Sequence, residues 1–191
     1  MMLSYYRNSL VHLFMNEAEI MSSLYFSVTQ KKQSASFDEI YEKTMFIKDL
    51  LSGEFVLKDT MRIKEDVTKV LKLMQERDFL KLDLLSGGIA IDPLQENQLI
   101  AQSFLCQLLF PYIDTYAITL AYFSIPTHLS QYHEEESLYQ KIQWVIETLF
   151  QGGNLKFYES CMLESIRNAI KRFHQMGVLS KETIQIKRTL F

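Results

Sequence analysis

Leu3 to Val28, LSYYRNSLVHLFMNEAEIMSSLYFSV, is the stretch that decides the fold class. Leu3, Tyr6, Leu10, Leu13, Ile20 and Leu24 follow a three-then-four spacing, which gathers side chains on one face of a helix turning every 3.6 residues. A second row, Val11, Phe14, Ala18, Met21, Tyr25 and Val28, widens the apolar surface beyond what a lone surface helix carries, while Glu17 interrupts it. The spacing predicts a long helix with both rows buried under a sizeable cover.

The rest of the chain offers that cover. Its 191 residues are 48% hydrophobic and 13% aromatic, with only 6 Gly and 3 Pro, a composition that excludes disorder and favours helices over a barrel or sandwich. The formal charge of -3 gives no chain-wide attraction to nucleic acid or anionic lipid. Cys106 and Cys161 stand far apart with no C-x-x-C pair, so both read as small core residues in a reducing, intracellular compartment. No signal-peptide pattern opens the chain. The longest uncharged region, Thr115 to His133, has its apolar heart at Tyr116 to Ile125, shorter than the roughly 20 residues of a spanning helix. The expectation is a chain that does not cross a bilayer.

Ser36-Phe37-Asp38-Glu39 is a helix start, with serine as cap and glutamate three places on. Ile40, Met45, Ile47, Leu50 and Leu51 form the helix that follows, ending near Ser52-Gly53. A third helix is capped by Asp59 or Thr60, with Met61, Val67, Val70, Leu71 and Met74 inward. Two alternating segments, Phe79 to Asp83 and Ile89 to Asp92, flank Gly87-Gly88 and predict a hairpin. Pro93 opens a central apolar helix through Phe123, in which Pro111 is expected to kink or split the helix. Acidic Glu134 to Glu136 lead a helix carrying Leu138, Ile142, Val145, Ile146, Leu149 and Phe150, closed by Gly152-Gly153. Glu159 to Met176 form the last helix, with Leu163, Ile166, Ala169, Ile170 and Phe173 inward and Gly177 as its stop. Val178-Leu179 and Ile184 to Phe191 read as a closing hairpin. The expected fold is mainly α: a multi-helix bundle with two short β-hairpins, in sub-units of about 1–92 and 93–191. Helix, helix, hairpin occurs twice, which allows two winged-helix-like units around the central kinked helix.

Chemistry is sparse. There is no glycine-rich phosphate loop, G-x-S-x-G elbow, H-E-x-x-H pair or metal-spaced Cys/His cluster, so neither a metal nor a cofactor is expected. His128 and His133 fall on different helical faces, and a solvated helix entrance accounts for them. His12 lies one turn from both Asn8 and Asn16 and reads as a structural histidine in a polar seam or as a general base. Arg7, between Tyr6 and Asn8, wants a carboxylate or phosphate partner or is an ordinary surface arginine. On the third helix, Arg62, Lys64, Lys69, Lys72 and Arg77 are offset by Glu65, Asp66, Glu76 and Asp78, which argues against nucleic acid as a partner.

Three blocks in order carry a family resemblance: Tyr5-Tyr6-Arg7-Asn8 with Leu10, His12 and Phe14; Ser103 to Phe123, SFLCQLLFPYIDTYAITLAYF; and Tyr158 to Leu179, YESCMLESIRNAIKRFHQMGVL. They resemble the C-terminal region of the glycerol-3-phosphate and dihydroxyacetone-phosphate acyltransferases. The resemblance implies a role in the first acylation of glycerophospholipid or ether-lipid synthesis, where an acyl thioester is transferred to a hydroxyl of a three-carbon phosphate. In that family a separate preceding domain carries a His-x-x-x-x-Asp motif, its histidine the base and its aspartate the orienting group. Here His12 is followed five places on by Glu17, His128 by His133, His133 by Leu138 and His174 by Leu179, so the motif is absent. The family's F-E-G-x-R-S-R type of substrate motif is absent too.

The resemblance therefore implies a non-catalytic C-terminal portion, inactive alone, that supports a catalytic acyltransferase domain in cis or in trans, intracellular and peripheral to a membrane. Tyr6, Arg7, Asn8 and His12 are the candidate docking or phosphate-contacting motif. The competing class is a winged-helix-like protein- or nucleic-acid-interaction module without a lipid role.

Overall fold

A computed structural model describes residues 2–28, 35–55, 64–83, 88–90, 96–125 and 135–179. Six helices and a three-stranded sheet account for most of them, so the chain is mainly helical. They fall into two compact units, Met1–Phe110 and Pro111–Phe191. The sequence reading placed its division ahead of the central helix, at 92/93; the compact units divide inside that helix, at the proline.

In the first unit, helix α1 (Met2–Val28) is followed by strand β1 (Ala35–Ser36), helix α2 (Phe37–Leu50) and helix α3 (Lys64–Glu76). Strands β2 (Lys81–Asp83) and β3 (Gly88–Ala90) come next, and helix α4 (Glu96–Phe123) begins here. The strand order is β1-β3-β2, antiparallel throughout, with Ala35 opposite Ile89 on one side of β3 and Leu82 opposite Ile89 on the other. Residues 84–87, between β2 and β3, and residues 180–191, where a closing hairpin is expected, lie outside the described residues. So do the proposed caps Asp59 and Thr60 and the helix-opening Pro93.

From Ala18 to Leu24 every residue of α1 is buried, as are Val11 and Met15. Two expectations for this helix fail. Leu13 is 69% exposed and Tyr25 is 43% exposed, whereas Glu19, Ser22, Ser23 and Ser27 are buried. The cause lies in what covers the helix: α2 packs along the serine-bearing side, so small hydroxyls rather than bulky residues fill the close approach. Ser27 Oγ donates to Ser23 O at 2.9 Å, Ser23 Oγ donates to Glu19 O at 2.8 Å, and Thr44 Oγ1 on α2 donates to Ser23 Oγ at 3.1 Å. Each buried hydroxyl so bonded avoids the desolvation cost of an orphaned polar group, about 1 to 3 kcal/mol. Glu17, read as an interruption of the stripe, reaches Arg77 at 3.6 Å beyond the end of α3.

Helix α2 starts as its sequence predicts. Ser36 has extended backbone and its Oγ accepts from Glu39 N at 3.2 Å. Glu39 itself takes Lys43 Nζ at 3.0 Å on the next turn of the helix. Ile40, Thr44 and Ile47 face inward on α2, and Val67, Leu71 and Met74 on α3. Gln102 Nε2 on α4 donates to Phe79 O at 2.9 Å, tying the central helix to the loop before β2.

Pro111 neither splits nor ends α4, which is assigned as one helix from Glu96 to Phe123. A proline inside a helix removes one amide donor. On the following turn Thr115 Oγ1 lies 2.9 Å from Pro111 O and 2.8 Å from Ser160 O, so its single hydroxyl proton serves one of two buried carbonyls. Leu99–Phe123 is long and apolar enough to cross a membrane by length and composition, which the sequence window beginning at Thr115 did not register. Half of that stretch is buried within the protein, as expected for the central helix of a folded core.

The second unit holds the rest of α4, helix α5 (Glu135–Gln151), a 3-10 turn (Tyr158–Cys161) and helix α6 (Leu163–Gln175). The single helix expected over Glu159 to Met176 is thus broken at Met162, whose backbone is extended with φ -70 and ψ 123. The break turns the backbone of Cys161 toward α5, where Gln143 Nε2 donates to Cys161 O at 3.0 Å. Leu138, Ile142 and Ile146 of α5 and Ile166, Ala169, Ile170 and Phe173 of α6 are buried, and Tyr116 of α4 meets Phe173 edge-on at 5.8 Å. Gly153 and Gly177 follow the two helices with φ 74 and 72, the left-handed geometry that closes a helix end and disfavours any Cβ. Of the three acids leading α5, Glu136 binds Arg167 of α6 at 3.1 Å, with the guanidinium 5.4 Å from the Tyr139 ring centre.

Candidate functional site

Tyr6, Arg7, Asn8 and His12 all lie on the N-terminal turns of α1. The side chains of Tyr6, Arg7 and Asn8 are outside the described residues; that of His12 is described and exposed. Helical register places Asn8 one turn before His12, and His12 immediately precedes the exposed Leu13. The structure thus puts His12 at an accessible surface.

A reactive constellation can also be assembled by packing between residues distant in sequence. Ser27 and Lys43 come closest, because Lys43 Nζ lies 2.9 Å from Ser27 Oγ, within the reach expected of a nucleophile and its base. The arrangement is a structural one. Ser27 is buried, its own proton goes to Ser23 O, and Lys43 donates both to Ser27 and to the Glu39 carboxylate. Sequence spacing gave no sign of this pair, since the two residues lie on different helices and meet only through packing. It closes the polar seam between α1 and α2.

Neither cysteine is poised for chemistry. Burial pushes the Cys106 thiol up to about 12, with the Ser22 hydroxyl beside it acting in the opposite direction. Burial also pushes Cys161 up, and the Glu147 carboxylate adds to the shift. A thiolate is the reactive form, so both thiols are inert at neutral pH. Desolvation raises the Asp114 carboxyl as well. Among the described residues no three His, Cys, Asp or Glu side chains gather as metal ligands. His128 and His133 lie outside the described residues.

Of the five cations weighed for nucleic-acid binding, Arg62 lies outside the described residues, and three are paired within the first unit. Lys64 pairs with Asp38 and lies 5.5 Å from the Tyr41 ring centre, Lys69 pairs with Asp66 at 3.6 Å, and Arg77 pairs with Glu17 at 3.6 Å. Lys72 is exposed.

Comparison with known proteins places these residues in context. The family model described as the glycerol-3-phosphate acyltransferase C-terminal region matches residues 1–182. The chain belongs to that family. It is also similar to the mouse (Mus musculus) dihydroxyacetone phosphate acyltransferase, with 21% identity over 189 residues, covering 98% of this chain and 26% of that protein. The chain thus spans about a quarter of the length of this curated relative. Each of the three resembling blocks falls within the match, so the exposed His12, the central helix and α6 all belong to the shared C-terminal region.

Proposed function

We propose that this chain is the non-catalytic C-terminal portion of an acyltransferase that acylates glycerol 3-phosphate or dihydroxyacetone phosphate, and that it supports the catalytic domain. The family match over residues 1–182 carries the reading. Two observations agree with it: the sequence has no His-x-x-x-x-Asp motif, and among the described residues the nearest approach to a catalytic pair, Ser27 with Lys43, has its hydroxyl buried and both groups engaged in other hydrogen bonds. The acyl thioester and the three-carbon phosphate are then substrates of the complete enzyme, bound where its base resides. The protein works inside the cell, peripheral to a membrane, with the catalytic domain in cis or in trans.

The test is direct. The purified chain is given an acyl thioester with either glycerol 3-phosphate or dihydroxyacetone phosphate, and the esterified product is measured. The reading expects no product above the rate without protein; sustained turnover with either acceptor refutes it.

A second reading has its own supporting observation. The order α1-β1-α2-α3-β2-β3 with strands arranged β1-β3-β2 is the order of a winged-helix unit, a common module for protein and nucleic-acid contacts. On that reading α3 is the contact helix. Because Lys64, Lys69 and Arg77 are paired with carboxylates of the same chain, few of the described cations on and beside α3 are left to neutralise phosphates. The winged-helix-like unit is accordingly better suited to protein contacts, which joins it to the first reading. Salt-sensitive binding of duplex DNA would favour the nucleic-acid alternative.

A further inference from the structure

Helices α1 and α4 of the first unit leave large apolar side chains uncovered where they meet. Phe14 packs edge-on against Phe104 with ring centres 6.0 Å apart, and neither is buried. On the same two helices Leu13 is exposed at 69%, Ile100 at 63%, Leu99 at 52% and Phe104 itself at 40%. Ile100 and Phe104 are one helical turn apart, so they form one stripe. Farther along the same two helices, Tyr25 and Phe26 meet Phe110 at 5.5 and 6.1 Å, with both α1 rings also partly exposed. Contiguous apolar surface of this kind marks a contact site. The second unit differs: its exposed Trp144, Tyr158, Met162 and Val178 are spread over several elements, and Trp144 sits among exposed Gln140, Lys141 and Thr148.

Charge and length say what covers the α1/α4 surface. Helix α4 contains no lysine or arginine and α1 contains only Arg7, so these two helices bring a single cation with which to hold an apolar face on anionic lipid. The matched family is a C-terminal region, and about three-quarters of the mouse relative lies outside the match, which leaves a large protein body for such a region to meet. We infer that the α1/α4 surface centred on Leu13, Phe14, Ile100 and Phe104 is where the catalytic acyltransferase domain docks. The inference rests on the proposed function and adds to it the surface used. His12 is exposed and immediately precedes Leu13 on α1.

Photo-crosslinking tests it with the full chain in its own cells. A photoreactive phenylalanine is placed at Leu13 or Ile100, and at Lys72 or Trp144 as exposed controls, and crosslinked peptides are identified by mass spectrometry. The inference expects peptides from a polypeptide segment bearing His-x-x-x-x-Asp at positions 13 and 100, and none at 72 or 144. The same segment captured only from 72 or 144 overturns the surface while sparing the proposed function. No such segment from any of the four positions overturns both. Crosslinks from 13 and 100 to a second copy of this chain, or to lipid, overturn the surface in favour of self-association or membrane contact. The double variant Leu13→Glu, Ile100→Glu gives an independent reading. It should weaken association with the acyltransferase segment at least tenfold while leaving the thermal melt unchanged, since both side chains are exposed; undiminished association refutes the assignment.

Discussion

Cys106 lies between the serine side of α1 and the interior of α4, and its environment makes a definite chemical statement. Because folding raises its thiol from an ordinary value near 9 to about 12, the stability it contributes is complete below pH 9 and is lost as pH climbs toward 12. Native protein should therefore resist alkylation by iodoacetamide at pH 8, and mass spectrometry should show Cys106 and Cys161 labelled only after unfolding. Asp114 has the same sign for a carboxyl. Desolvation raises it above 3.8, so its contribution is complete at low pH and is lost as pH rises through the folded value. Asp114→Asn should raise the urea midpoint at pH 7, and the gain should vanish near pH 3. Residue roles were the least legible level of the sequence. Glu19 and Thr44 look like surface residues by type, and they are buried because α1 and α2 approach along a hydroxyl-lined seam that no local spacing announces.

At the scale of elements, local signals succeeded where they are chemically specific. Ser36 caps α2, and Gly153 and Gly177 close α5 and α6 in the left-handed geometry, each as their residue types require. Ser36→Ala should cost about 1 kcal/mol, read as a lower thermal midpoint with the native fold retained. Periodicity succeeded less evenly. It marked Val67, Leu71 and Met74 of α3 and Ile166, Ala169, Ile170 and Phe173 of α6 as buried, yet it also marked Leu13, which faces outward. A helix covered on more than one side has no single apolar stripe, so its exposed rows depend on neighbours distant in sequence. The break at Met162 was hidden for a related reason: no Gly or Pro interrupts YESCMLES, and the turn there is held by Gln143 from α5. Pro111 was the opposite case, a strong local breaker that the surrounding helix tolerates.

For the whole molecule, the helical class and the family were both legible from ordered blocks of sequence, and the match over residues 1–182 establishes the second. The proposed function divides the labour, with acyl transfer assigned to a segment that carries His-x-x-x-x-Asp. The His-x-x-x-x-Asp pair is absent from the sequence, the described thiols are inert, and the described surface presents an apolar contact beside the motif on α1. On the proposed function, support of a catalytic partner is the chain's contribution, and that support has a measurable size. The most direct measurement compares acyl transfer by the His-x-x-x-x-Asp polypeptide captured from the cell in the presence and absence of this chain. Activity should fall at least tenfold without the chain and return when it is added back; full activity in its absence would contradict the account.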